Sequence, residues 1–189
     1  FAYLLPALQS GRKVLIATGT RALQDQLFHR DLPTLQRALG LSVHTALLKG
    51  RANYLCHHRL ERGAAGDFGG DLALHPVLAA VQGFAGRSPH GDLDALEELS
   101  PQSSLRPFVT SNADNCLGQD CPDIGDCFLL KARRAAQQAD LVVVNHHLFF
   151  ADLALKESGF GEVLPDADVF IFDEAHLLPE VATMFFGTS

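Results

Sequence analysis

The 189-residue sequence has no apolar run approaching the roughly 18–20 residues that a helical bilayer span requires. Its apolar opening, Phe1 to Leu8, is short and interrupted by Pro6. A transmembrane helix is excluded. The basic start, apolar core and cleavage site of a secretory signal are also missing, so the four cysteines read as those of a reducing, intracellular protein and not as a disulfide framework. There is no initiator methionine, Met184 is the sole methionine, and the chain stops just after the apolar run Val181 to Phe186. These features suggest an excised piece of a longer protein. With 47% hydrophobic and 20% charged residues, disordered, collagen-like and coiled-coil compositions are excluded, and the chain is long enough to bury a core.

Positive charge is scarce. Fifteen Lys and Arg against 22 Asp and Glu give a net charge of −7, which argues against holding nucleic acid by bulk positive charge. The distribution is uneven: residues 1–62 hold nine basic and three acidic side chains, residues 63–130 two and ten, and residues 131–189 four and nine. The first third is a basic lobe.

Val14-Leu15-Ile16-Ala17-Thr18 is a continuous apolar, β-branched run between Lys13 and Gly19, which predicts a strand buried on both faces. Thr20 is placed to cap a following helix on which Leu23, Leu27, Leu35 and Leu39 recur near helical spacing, with Pro33 marking a break or a new start. Residues 141–150 and 168–172 are two further continuous apolar runs, expected to be buried strands of a parallel sheet. Phe1 to Leu8 and Leu177 to Phe186 are expected to be helices covering it. The fold class is therefore α/β. The middle, residues 49–139, differs: it holds all four cysteines, most of the acidic excess and the turn-rich stretches Gly63 to Gly70 and Gly86 to Gly91. It reads as an insertion in which Asp92 to Leu99 and Phe128 to Gln138 are helical and Ser100 to Asp114 loops. Residues 1–48 and 140–189 then form one α/β domain around it.

The strongest chemical signal is Val169-Phe170-Ile171-Phe172-Asp173-Glu174-Ala175-His176, an apolar strand delivering two acids to its carboxyl end. Nucleotide hydrolysis needs this arrangement: Asp173 can hold Mg²⁺ through water, and Glu174 can orient or deprotonate the water that attacks the γ-phosphate. His176 could sense that phosphate. A helix start with acids in its first turn is the plainer alternative. Asp-Glu-Ala-His (DEAH) after an apolar strand resembles the Walker B element, or motif II, of superfamily 2 helicases.

Cys56, Cys116, Cys121 and Cys127 are separated by 59, 4 and 5 residues, so the C-x-x-C knuckle usual for structural zinc is absent. Three clustered thiols and one distant one suit a cubane cluster, in which each iron takes one thiolate. With this pattern between its motifs, the chain is similar to the iron–sulfur helicases of the DinG and XPD type, and most to the DinG and YoaA branch. Ile16 to Leu27 resembles motif Ia, and Lys49 to Cys56, the cysteine cluster, Val144 to Phe149 and Asp173 to His176 carry the rest of the likeness.

The resemblance implies a partial RecA-like motor domain with a mainly helical insertion that holds a [4Fe–4S] cluster on Cys56, Cys116, Cys121 and Cys127. It further implies a 5′-to-3′ DNA helicase of repair or replication, driven by ATP and Mg²⁺ in the bacterial cytoplasm and acting on single-stranded DNA and duplex junctions. Asp173 would bind the metal of Mg-ATP, Glu174 would be the catalytic base, and His176 would join them. No G-x-x-x-x-G-K-[ST] phosphate loop occurs in the sequence, and Phe1 to Leu8 resembles the helix that would follow one. A second motor domain is also missing, so the chain alone is not expected to hydrolyse ATP without the remaining motor segments.

Basic residues flank the first cysteine, with Lys49, Arg51, Arg59 and Arg62 around Tyr54, and Lys131, Arg133 and Arg134 follow Cys127. Cations for phosphates and an aromatic face for a base make a single-strand path, although solvated helix faces have the same composition. Thr18 and Thr20 could donate to phosphate, and Thr20 equally well caps its helix. His57 and His58 beside Cys56 suggest a mixed Cys/His site, but four cysteines already complete a ligand set. Asn145, His146 and His147 either contact DNA or cap a turn. Two other classes stay open: a non-enzymatic nucleic-acid-binding module with a zinc or iron–sulfur site, and an iron–sulfur electron carrier.

Overall fold

Residues 2–66, 76–157 and 163–187 are described by the computed structural model. In chain order the elements are α1 (Leu4–Gln9), β1 (Val14–Thr18), α2 (Arg21–Gln26), α3 (Leu32–Leu39), β2 (Thr45–Leu47), α4 (His57–Ala64) and α5 (Leu78–Arg87). There follow α6 (Arg106–Val109), α7 (Phe128–Gln138), β3 (Leu141–Asn145), α8 (His146–Glu157), β4 (Val169–Phe172) and α9 (Leu178–Phe186). The chain divides into two compact units: residues 1–49 with 133–189, and residues 50–132.

The first unit is built on a parallel four-stranded sheet of order β2-β3-β1-β4. Every residue of β1 is buried, as its unbroken apolar run predicts. Val14 and Ile16 lie in register with Leu141 and Val143 and share one apolar cluster with Leu4 and Leu8 of α1 and Leu32 of α3. Leu15, Val142 and Val144 alternate with these and are also buried, so both faces of the central pair are covered. Truncating a fully buried side chain such as Leu32 should cost about 2–5 kcal/mol.

Thr20 caps α2, its side chain accepting from Leu23 N at 3.2 Å. The chain does not break at Pro33: a π-helical turn, Leu27–Asp31, joins α2 to α3, and Pro33 sits in the first turn of α3, where its missing N–H costs nothing. Strand β3 ends at Asn145, short of the expected 150, because Asn145 Oδ1 accepts from Leu148 N at 2.8 Å and starts α8. Strand β4 is only partly buried, with Phe170 48% exposed: its ladder neighbour is β1 alone.

The second unit packs Tyr54, Leu60, Val81, Phe84, Leu93, Leu105, Val109 and Phe128 into its own core. Asp92 to Leu99 is not a helix. Asp92 caps one 3₁₀ turn, Leu93–Ala95, and Leu93, Leu96 and Leu99 reach the core at intervals of three. The expected loop from Ser100 to Asp114 contains α6. Residues 67–70 of the Gly63 to Gly70 stretch and Phe1 lie outside the described residues.

Candidate functional site

Asp173 continues the β4 ladder by donating its N–H to the Ala17 carbonyl at 2.9 Å, which sets the acid pair at the carboxyl ends of β1 and β4. These strands are adjacent in space but separated in the chain by β2 and β3, and open α/β sheets bind ligands at such edges. Both carboxylate oxygens of Asp173 are engaged: Oδ2 accepts from the Tyr3 hydroxyl at 2.7 Å, and Oδ1 from Glu174 N at 3.1 Å. Burial, and then the hydrogen bond to Asp173, push the Tyr3 phenol far above its ordinary pKa, so it remains a donor. The carboxylate is thereby held in one orientation.

Glu174 turns sharply away from the strand. Its backbone is left-handed at φ 54°, a conformation costing a non-glycine residue about 1–2 kcal/mol. Its Oε2 lies 3.6 Å from His176 Nε2, and both side chains reach solvent. The turn needs room at Gly19, where a Cβ would stand 3.1 Å from Glu174 Cβ and 2.5 Å from Leu177 Cδ1. Behind the pair, His146 is fully buried with Nε2 3.2 Å from the Ala17 carbonyl. Burial lowers its pKa against the pull of the Asp173 and Ala17 backbone, so the ring stays neutral at pH 7 and donates from Nε2.

The expected DNA contacts divide by burial. Thr18 is fully buried and donates from Oγ1 to the Thr20 carbonyl at 3.2 Å. Lys49 is buried too, its ammonium 2.8 Å from Asp25 Oδ1. Tyr54 belongs to the core of the second unit, so its ring offers no stacking face. Packing and contacts within the chain engage the functional groups of all three. Thr20 is exposed, Arg51 is half-buried, and Arg59, also half-buried, donates from Nη2 to the Pro107 carbonyl at 3.1 Å. His147 is exposed, whereas Asn145 and His146 are occupied as cap and core.

All four cysteines lie in the second unit and are free thiols. Cys56 immediately precedes α4 and donates its N–H to the Val109 carbonyl at 2.9 Å. Cys121 and Cys127 each follow a 3₁₀ turn, Gly118–Asp120 and Ile124–Asp126, while Cys116 is exposed. Burial pushes the Cys56 thiol up, and the neighbouring Cys121, Cys127 and Cys116 add to the effect. Among the described residues, the donor set within reach of a single ion is His58, Cys121 and Asp123, not a group of cysteines. In a cubane each thiolate binds a different iron, so the four sulfurs need not all reach one ion.

Sequence reasoning missed Tyr3, Gly19 and the pairing of His58 with Asp123. Tyr3 lies 170 residues from Asp173 and belongs to no recognisable motif.

No family model matches the chain. It is 52% identical over 191 residues to the ATP-dependent DNA helicase YoaA of Escherichia coli (strain K12), covering 100% of this chain and 30% of that protein. YoaA of Haemophilus influenzae is also 52% identical, over 189 residues, with the same coverage of 100% and 30%. The ATP-dependent helicase DinG of Mycobacterium tuberculosis (strain ATCC 25618 / H37Rv) is 36% identical over 206 residues, covering 96% of this chain and 30% of that protein. The chain thus spans about 30% of the length of these relatives.

Proposed function

We infer, on the premise that this chain belongs to the DinG/YoaA family, that it is a motor-domain segment of an ATP-dependent DNA helicase. The observation that carries the reading is the Asp173–Glu174 pair at the carboxyl edge of the parallel sheet, one carboxylate pinned and the other turned outward. Asp173 would hold the metal of Mg-ATP, its carboxylate oriented by the Tyr3 hydroxyl. Glu174 would accept the proton of the attacking water, and His176, 3.6 Å from it, would sense the γ-phosphate. Magnesium, when bound, neutralises charge on the phosphate oxygens.

Cys56, Cys116, Cys121 and Cys127 would hold a [4Fe–4S] cluster, which when bound ties four separate points of the second unit together. The whole protein moves 5′ to 3′ on single-stranded DNA from duplex junctions in repair or replication, at the nucleoid in the cytoplasm. Thr20, Arg51 and Arg59 remain as DNA contacts of this segment. No helix among the described residues is long and apolar enough to cross a membrane.

The test is strand separation by the complete protein with ATP and Mg²⁺, using duplexes that carry a 5′ or a 3′ single-stranded tail. ATP-dependent unwinding of the 5′-tailed duplex alone is expected. Unwinding confined to the 3′ tail contradicts the polarity, and no ATP-dependent separation with either tail contradicts the function.

A further inference from the structure

His57 and His58 both sit in the first turn of α4, yet they differ in what they touch. His57 stacks on the Phe128 ring at a centroid separation of 4.7 Å and belongs to the packing. His58 points its Nδ1 at Asp123 Oδ2 from 3.7 Å, too far for a hydrogen bond. That carboxylate oxygen is shielded from solvent and has no hydrogen-bond partner. A shielded, unbonded carboxylate oxygen costs free energy unless a cation compensates it.

The third group is Cys121. A tight turn, with Ile124 N donating to the Cys121 carbonyl at 3.1 Å, brings the Cys121 thiol round beside Asp123. One donor atom each from His58, Cys121 and Asp123 lies within 4.8 Å of the other two. Imidazole, thiolate and carboxylate are the ligand types of zinc, and tetrahedral bonding would draw such donors to roughly 3.3–3.6 Å apart. Closing each pair by no more than about 1.5 Å completes the set. One thiolate and one carboxylate balance a dication, and all three residues are half-buried, which leaves a fourth position open to water.

We propose that His58, Cys121 and Asp123 form a site for a single zinc-class divalent ion, taken up when Cys121 is not committed to a cluster. The two loadings exclude each other because both require the Cys121 thiolate. Such an ion would clamp α4 to the cysteine loop in the cluster-free protein, using one of the four cysteines instead of all of them.

The experiment uses the full 189-residue chain, reduced and metal-free, titrated with Co²⁺ as a spectroscopic probe and then with Zn²⁺ in competition. One cobalt per chain is expected, with tetrahedral absorption and charge transfer from a single thiolate. His58→Ala and Asp123→Ala should each weaken uptake at least about 100-fold, beyond the 10–100-fold typical of residues one shell further out. Cys116→Ser, at an exposed position, and Cys127→Ser should leave uptake within about threefold of the parent chain. A multi-thiolate spectrum that needs Cys116 or Cys127, or undiminished uptake by the His58→Ala chain, overturns the proposal, as does failure to bind cobalt stoichiometrically. Iron and sulfide loading reports on the cluster separately. Where the unaltered chain loads iron, a His58→Ala chain that loads iron but not cobalt isolates the new site, and one that loads neither overturns it. Absence of iron from the unaltered chain would refute the cluster while leaving the cobalt result standing.

Discussion

On the proposed function, replacing Glu174 by Gln in the complete protein is expected to lower ATP turnover at least about 10²-fold, the contribution typical of a positioned general base. The substitution keeps size and shape but removes the basic oxygen. Asp173 keeps its orientation, because it draws its hydrogen bonds from the Tyr3 hydroxyl and from the backbone N–H of residue 174, and only the contact with His176 changes. Nucleotide affinity should therefore stay within a few-fold, so that the loss falls on kcat and not on KM. Steady-state hydrolysis with single-stranded DNA, paired with equilibrium nucleotide binding, separates the two. Turnover within threefold of the unaltered enzyme would show that the outward turn at Glu174 serves only the backbone.

Gly91→Ala is expected to destabilise the cysteine-bearing unit by about 2–5 kcal/mol, the sum of a left-handed backbone cost and an overpacking cost. Gly91 is buried at φ 63°, and a Cβ there would overlap the Phe128 ring and stand 2.8 Å from Phe128 Cβ. Phe128 cannot yield cheaply: it is 4% exposed, stacks on His57 and directly follows Cys127. The substitution therefore displaces a cysteine as well as a core ring, and metal loading should fall with stability. Gly118→Ala is the matched control, since Gly118 is also left-handed at φ 59° but a Cβ there would meet nothing within 4 Å. Denaturant midpoints for the two variants isolate the clash, and equal losses would contradict it.

How legible each feature was depended on whether its signal was local. Strand β1 could be read because an uninterrupted β-branched run has few alternatives, and the acids after β4 because strand and carboxylates are contiguous. The run from Leu141 misled beyond Asn145, since apolarity alone does not separate a buried strand from a helix that follows it. Strand β2, only three residues long, gave too short a pattern to detect. Asp92 to Leu99 has helical composition, yet its leucines reach the core at intervals of three around a single 3₁₀ turn. The burial of Lys49 and Tyr54 was not legible because composition reports charge and aromaticity, whereas burial depends on partners such as Asp25, distant in the chain. Tyr3 and the His58–Asp123 pairing depend on such distant neighbours too.

The most direct measurement of the iron–sulfur helicase account is the iron, sulfide and zinc content of the chain purified without oxygen, taken with its visible spectrum. The account predicts about four irons and four sulfides per chain, with both lost when Cys56, Cys116, Cys121 or Cys127 is replaced by Ser. Stoichiometric zinc with no sulfide would contradict it.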